Sequence, residues 1–160
     1  MELLLWRHAE AMDGSPDHAR ELTPRGKEQA WRIAAWLKKH APGGIRLLVS
    51  PAVRARQTAA FFREEMEIRE ALASDAAPDE ILALLDWPNA APCVIVGHQP
   101  MLGEILARLL KDARYLHSVR KGALWWLSGM AGEEKAKLRC RKDPGDKPFP
   151  RADHLETAGK

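Results

Sequence analysis

At 160 residues, 46% apolar and 29% charged, the chain has material for one buried core and too little length for a second full domain. A net charge of +3 and a pI near 9.0, without a basic stripe interleaved with aromatics or a recognition module, argue against nucleic acid and suit an anionic ligand equally well. Cys93 and Cys140 lie far apart with no CxxC spacing, and no apolar run has the length of a membrane span or the flanks of a signal peptide, so a cytoplasmic protein with reduced thiols and no membrane partner is expected.

The chain opens with Leu3-Leu4-Leu5-Trp6, a short continuous apolar run of the kind a strand buried on both faces requires. Thr23 is a candidate helix cap with Pro24 at the first helical position, and Ala30, Ile33, Ala34 and Leu37 form one apolar stripe of a helix ending near His40. Ile45 to Val49 reads as a second strand. Ser50-Pro51 then reads as a cap and first turn, leading a helix through Phe61, Phe62 and Met66. Asp79 to Trp87 is a predicted helix closed by Pro88, Cys93 to Val96 a strand, and Met101 to Leu110 a helix. Gly122 to Leu127 and Ala136 to Arg141 suggest a hairpin at a sheet edge.

This alternation predicts an α/β fold, three-layer αβα, with a mainly parallel central sheet. A single domain over 1–143 and a poorly packed tail over 144–160 are expected. The late basic residues, Lys135 to Arg151, are read as a solvated edge, and the six tryptophans mainly as core.

In open α/β sheets ligands bind beyond the carboxyl ends of the strands. The first strand ends in Arg7-His8, the second is followed by Arg54 and Arg56, and the later one ends in Gly97-His98-Gln99. Two imidazoles and paired guanidiniums at one mouth suit a phosphoryl group, because arginine offers planar bidentate donors and a neutral imidazole can attack phosphorus. Ser50 lacks a G-x-S-x-G elbow and is read as a cap, not a nucleophile. No HExxH or comparable spacing suggests a metal, and none is expected.

These segments, Leu5-Trp6-Arg7-His8-Ala9, Leu22-Thr23-Pro24-Arg25-Gly26, Ser50-Pro51-Ala52-Val53-Arg54-Ala55-Arg56-Gln57-Thr58-Ala59 and Val94-Ile95-Val96-Gly97-His98, resemble in order the motifs of the histidine phosphatase superfamily, the phosphoglycerate mutase-like fold. Length and Arg7-His8-Ala9-Glu10-Ala11 are most similar to its SixA-type phosphohistidine phosphatases. The resemblance implies a metal-independent phosphatase without a cofactor. In it His8 is the nucleophile, Arg7 and Arg54 bind phosphate oxygens, and His98 completes the pocket and donates to the transferring group. Arg20 is a further candidate phosphate contact, and Arg56 is expected to be structural or exposed.

Ala9 stands where the signature has glycine, and the "GxxEG" context that carries an acid in family members acting on monoesters is missing. An alkoxide leaves poorly without a positioned acid, whereas a protonated imidazole leaves readily. Short loops leave little for a lid, so an open cleft admitting a phosphohistidine side chain of a partner protein is expected. The alternatives are a small-molecule phosphomonoesterase using Glu70 or Asp75 as general acid, with Asp79-Glu80 read as first-turn helix charge, or a non-catalytic phosphate-binding module, which would need no nucleophile at His8.

Overall fold

Strand β1, Glu2–Arg7, is buried on both faces because its neighbours alternate in step with it. It pairs in parallel with β4, Cys93–Gly97, and antiparallel with β5, Leu124–Ser128. Leu3 and Leu5 point to one face together with Leu48, Cys93, Ile95, Trp125 and Leu127. Leu4 and Trp6 point to the other with Leu47, Val49, Val94, Val96 and Leu124. The computed structural model describes residues 1–73 and 75–145.

The full order is β3-β2-β4-β1-β5-β6, with β2 at Arg46–Val49, β3 at Glu67–Ile68 and β6 at Lys137–Lys142. The first four strands run parallel, β5 pairs antiparallel with β1, and β6 pairs antiparallel with β5. Helices α1, Pro24–His40, and α2, Val53–Ala60, supply residues to the Leu4 face, while α3, Pro78–Leu84, and α4, Met101–Leu110, cover the Leu3 face. This is the three-layer αβα fold that the alternation predicts. Truncating a fully buried side chain such as Leu5 to alanine would cost about 2–5 kcal/mol.

Several boundaries differ from expectation, each for a local reason. The helix after β2 stops at Ala60 instead of running through Met66, because the chain turns to lay β3 beside β2 in parallel. Its cap residue is Ala52, which makes no side-chain cap bond, so Ser50 is not the cap. Helix α3 ends at Leu84, before Asp86 takes a left-handed φ of 52°. The hairpin starts at Leu124 because Gly122, at φ +76°, is still in the turn, and only β6 lies at the edge.

The exposed Lys137, Arg139, Arg141 and Lys142 belong to β6, where charge discourages a further strand from pairing. Trp6 and Trp125 are fully buried. Of the expected tail, Pro144 is buried, and 146–160 lie outside the described residues. Among the described residues no helix is long and apolar enough to cross a membrane.

Candidate active site

The carboxyl ends of β1, β2 and β4 lie side by side, and each releases its chemistry-bearing residue at that edge. His8 follows β1; its N–H donates to Gly97 O at 3.0 Å, and its carbonyl accepts from Gly122 N–H at 3.1 Å. The residue so pinned is 7% exposed. His8 Nδ1 lies 2.7 Å from Ala9 O. A carbonyl can only accept, so Nδ1 carries the proton and Nε2 keeps a free lone pair. Burial, with His98, Arg54 and Arg7 adding to it and the Ala9 bond opposing, pushes the His8 pKa down to about 3. The ring is therefore neutral at physiological pH, as a nucleophile must be.

The glycine position of the motif is filled by a fully buried Ala9, whose φ is not positive, so the methyl causes no backbone strain. Its N–H donates to Thr58 Oγ1 at 3.0 Å, and Thr58 Oγ1 in turn donates to Arg54 O at 2.8 Å. Thr58 thus ties the loop after β1 to α2. The next residue is tied to α1: Glu10 N–H donates to Gln29 Oε1 at 3.0 Å, Glu10 O accepts from Thr23 N–H at 3.0 Å, and Thr23 Oγ1 donates to Glu10 Oε2 at 2.7 Å. Gly26 lets the helix come this close, since a Cβ there would lie 2.0 Å from Glu10 O.

His98 follows β4, is 2% exposed, and faces His8 with ring centroids 5.1 Å apart at 54°. Its Nε2 lies 2.7 Å from Ser50 Oγ. Ser50 Oγ also accepts Ala52 N–H at 3.3 Å. Among the described residues His98 Nε2 is the acceptor available to the hydroxyl proton of this fully buried serine, so Ser50 donates to Nε2 and the ring proton of His98 sits on Nδ1. Burial, assisted by Arg54 and Arg7 and opposed by Asp17, pushes the His98 pKa down to about 4.

Arg7 and Arg54 flank the two rings. Arg7 donates from one terminal nitrogen to Val119 O at 2.9 Å, and burial lowers its pKa. Arg54 sits in the first turn of α2, 4% exposed. Its terminal nitrogens reach Asp17, one to the carbonyl at 2.9 Å and the other to Oδ2 at 3.1 Å. Arg7 Nε, Arg54 Nε and His98 Nδ1 are buried without a partner. Buried donors left unpaired are costly, and three of them lie on the residues around His8.

Arg20 is not brought onto this group. It donates to Met12 O at 2.7 Å and Asp17 Oδ1 at 3.0 Å, and so meets Arg54 only through Asp17. Arg56 is exposed, as expected. Glu70 and Asp75 are exposed, and neither exerts a charge effect on His8 or His98. Among the described residues no cluster of three or more His, Cys, Asp or Glu could hold a metal ion. Sequence reasoning missed the roles of Ser50 and Thr58, although both lie in the Ser50–Ala59 motif. Asp17 carried no signal at all.

Fold and site together describe an α/β protein whose strand ends bring two buried imidazoles and two arginines to one edge of the sheet. Residues 3–81 match the profile of the histidine phosphatase superfamily (branch 1). The chain is 34% identical over 126 residues to the phosphohistidine phosphatase SixA homolog of Haemophilus influenzae, covering 68% of this chain and 77% of that one. A SixA-type structure from Nakamurella multipartitia superposes with a TM-score of 0.77 at 27% identity, covering 89% of this chain and 95% of the other. The protein histidine phosphatase SixA complexed with tungstate shares the fold, with a TM-score of 0.74 at 22% identity over 90% of this chain and 97% of that one. The chain belongs to the histidine phosphatase superfamily, and within it to the phosphatases.

Proposed function

We propose that this chain is a protein phosphohistidine phosphatase that works without a metal in the cytoplasm, through a phosphorylated His8. The observation that supports the reading is the locked ring of His8, whose Nδ1–H donates to Ala9 O at 2.7 Å, on a residue whose neighbours Arg7, Arg54 and His98 each carry a buried, unpartnered nitrogen. In the first step the Nε2 lone pair attacks phosphorus in line. The new N–P bond forms as the bond to the leaving group breaks, and the electron pair returns to the leaving group. Arg7, Arg54 and His98 Nδ1–H hold the phosphoryl oxygens and offset their charge. In the second step water attacks phosphorus, the N–P electron pair returns to Nε2, and both water protons stay on the phosphate released.

Neutral His8 and His98 provide no proton for an alkoxide, and Glu70 and Asp75 stand exposed without contact to them. A monoester would therefore leave poorly, whereas a protonated phosphohistidine ring needs no acid. The H. influenzae relative, named as a phosphohistidine phosphatase SixA homolog, supports the same substrate class. The test compares phosphate release from a phosphohistidine-bearing phosphotransfer domain and from simple alkyl monoesters. Faster turnover of the phosphoprotein is expected; turnover of the monoesters with none of the phosphoprotein would contradict the reading.

A further inference from the structure

Between β1 and α1 the chain runs along the mouth of the site and is held there. Ala11 bridges Leu22, and Met12 N–H donates to Glu21 O at 2.8 Å. In this segment the turn Asp17–Ala19 places the Asp17 carboxylate between two guanidiniums, Oδ1 at 3.0 Å from Arg20 and Oδ2 at 3.1 Å from Arg54. The Asp17 side chain is 62% exposed and that of Arg54 only 5%, so the carboxylate reaches from solvent onto a buried cation of the site. Among the described residues it is also the carboxylate whose charge acts on His98.

Its chemical state limits what it can do. Arg20 and Arg54 hold its pKa below the ordinary carboxylate value, so at neutral pH it has no proton to give an alkoxide. Each oxygen still has lone-pair capacity beyond one arginine bond, and the group is open to solvent. What it can accept is an N–H.

We propose that Asp17 is the leaving-group residue, its carboxylate accepting a hydrogen bond from the unphosphorylated ring nitrogen of a substrate phosphohistidine and so selecting an imidazolium over an alkoxide. The inference rests on the phosphohistidine reading above. In the transfer step the substrate ring enters as a phosphoimidazolium, its P–N bond breaks, the electron pair returns to the nitrogen that carried phosphorus, and the ring departs as neutral imidazole with its distal N–H still donated to Asp17. No proton moves. The same device acts on the enzyme's own ring, where Ala9 O accepts Nδ1–H of His8 at 2.7 Å. The two imidazoles that exchange the phosphoryl group would thus each keep the distal proton on a fixed acceptor.

The test uses Asp17→Asn and Asp17→Glu with two substrates, a phosphohistidine-bearing phosphotransfer domain and p-nitrophenyl phosphate, whose phenolate leaves without help. For Asp17→Asn the kcat/KM ratio of the first substrate to the second is expected to fall at least about tenfold, the size of a lost charge-assisted hydrogen bond. Asp17→Glu should recover part of it. Parallel loss on both substrates would overturn the inference, leaving Asp17 as a support for Arg54, and so would an unchanged ratio. Failure of the wild-type protein to turn over the phosphoprotein would instead refute the substrate reading itself, and this inference with it.

Discussion

Ser50 Oγ lies 2.7 Å from His98 Nε2, and that contact decides which nitrogen of His98 carries the proton. The serine is fully buried and its oxygen accepts Ala52 N–H at 3.3 Å, and among the described residues His98 Nε2 is the acceptor available to its own proton. Ser50→Ala removes the partner that Nε2 has among the described residues, frees the ring to exchange tautomers and leaves a buried acceptor unpaired. A stability loss of about 1–3 kcal/mol is expected, together with a fall in kcat/KM of about tenfold or more. Nitrogen-15 NMR of His98 should change from a single Nδ1–H tautomer to a mixture. An unchanged tautomer would contradict the assignment.

Arg54 is buried and Arg56 exposed, two residues apart on α2. Arg54 spends its terminal nitrogens on Asp17 and keeps a buried, unpartnered Nε, a division that the single ammonium of lysine cannot reproduce. Arg54→Lys is expected to weaken inhibition by orthovanadate by about tenfold. Arg56 is exposed, and Arg56→Lys should change stability by no more than about 0.5 kcal/mol and leave inhibition as it was. Titration of both variants measures the contrast.

Acid should destabilise the protein through its two site histidines. In the unfolded chain a histidine protonates near the ordinary value of about 6.5, whereas folded His98 and His8 are pushed down to about 4 and about 3. Between these values the unfolded state binds protons that the folded state refuses, so stability rises with pH across the window and is lost as pH falls through it. Asp17 and Glu67, whose values are lowered from 3.8 and 4.5, add their losses only further into acid. The urea midpoint should therefore decline between about pH 6.5 and pH 4.5, less steeply in His8→Asn. A flat midpoint over that interval would contradict the buried neutral state.

Gly26 couples the start of α1 to the loop that carries His8. A methyl group placed there would lie 2.0 Å from Glu10 O, so Gly26→Ala must push the helix away from the residue two positions after His8. A loss of about 1–3 kcal/mol in urea denaturation is expected, with lower kcat. Gly43→Ala, where the added methyl meets nothing within 4 Å, is the control and should be far milder.

Strand β1 and the helix stripe of α1 were legible because both faces of the strand are buried and one face of the helix is, which writes a pattern into neighbouring residues. His8 and His98 were legible as candidates because each directly ends a strand. The end of α2 was not, since Phe61 is buried like the helix residues before it and only pairing of β3 with β2 stops the helix. Ser50 was misread because Ser-Pro before a helix resembles a cap, and only the position of His98, 48 residues away, shows its actual partner. Asp17 meets Arg54, 37 residues away in sequence, from the single turn Asp17–Ala19, where no periodicity marks it.

The central claim is that His8 becomes phosphorylated, and rapid quench followed by mass spectrometry at neutral-to-alkaline pH tests it directly. After mixing with a phosphohistidine-bearing phosphotransfer domain, the account requires an acid-labile phosphate on His8 that forms and decays with turnover and is absent from His8→Ala. Phosphate release at full rate from His8→Ala, or a phosphorylated intermediate on any other residue, would contradict it.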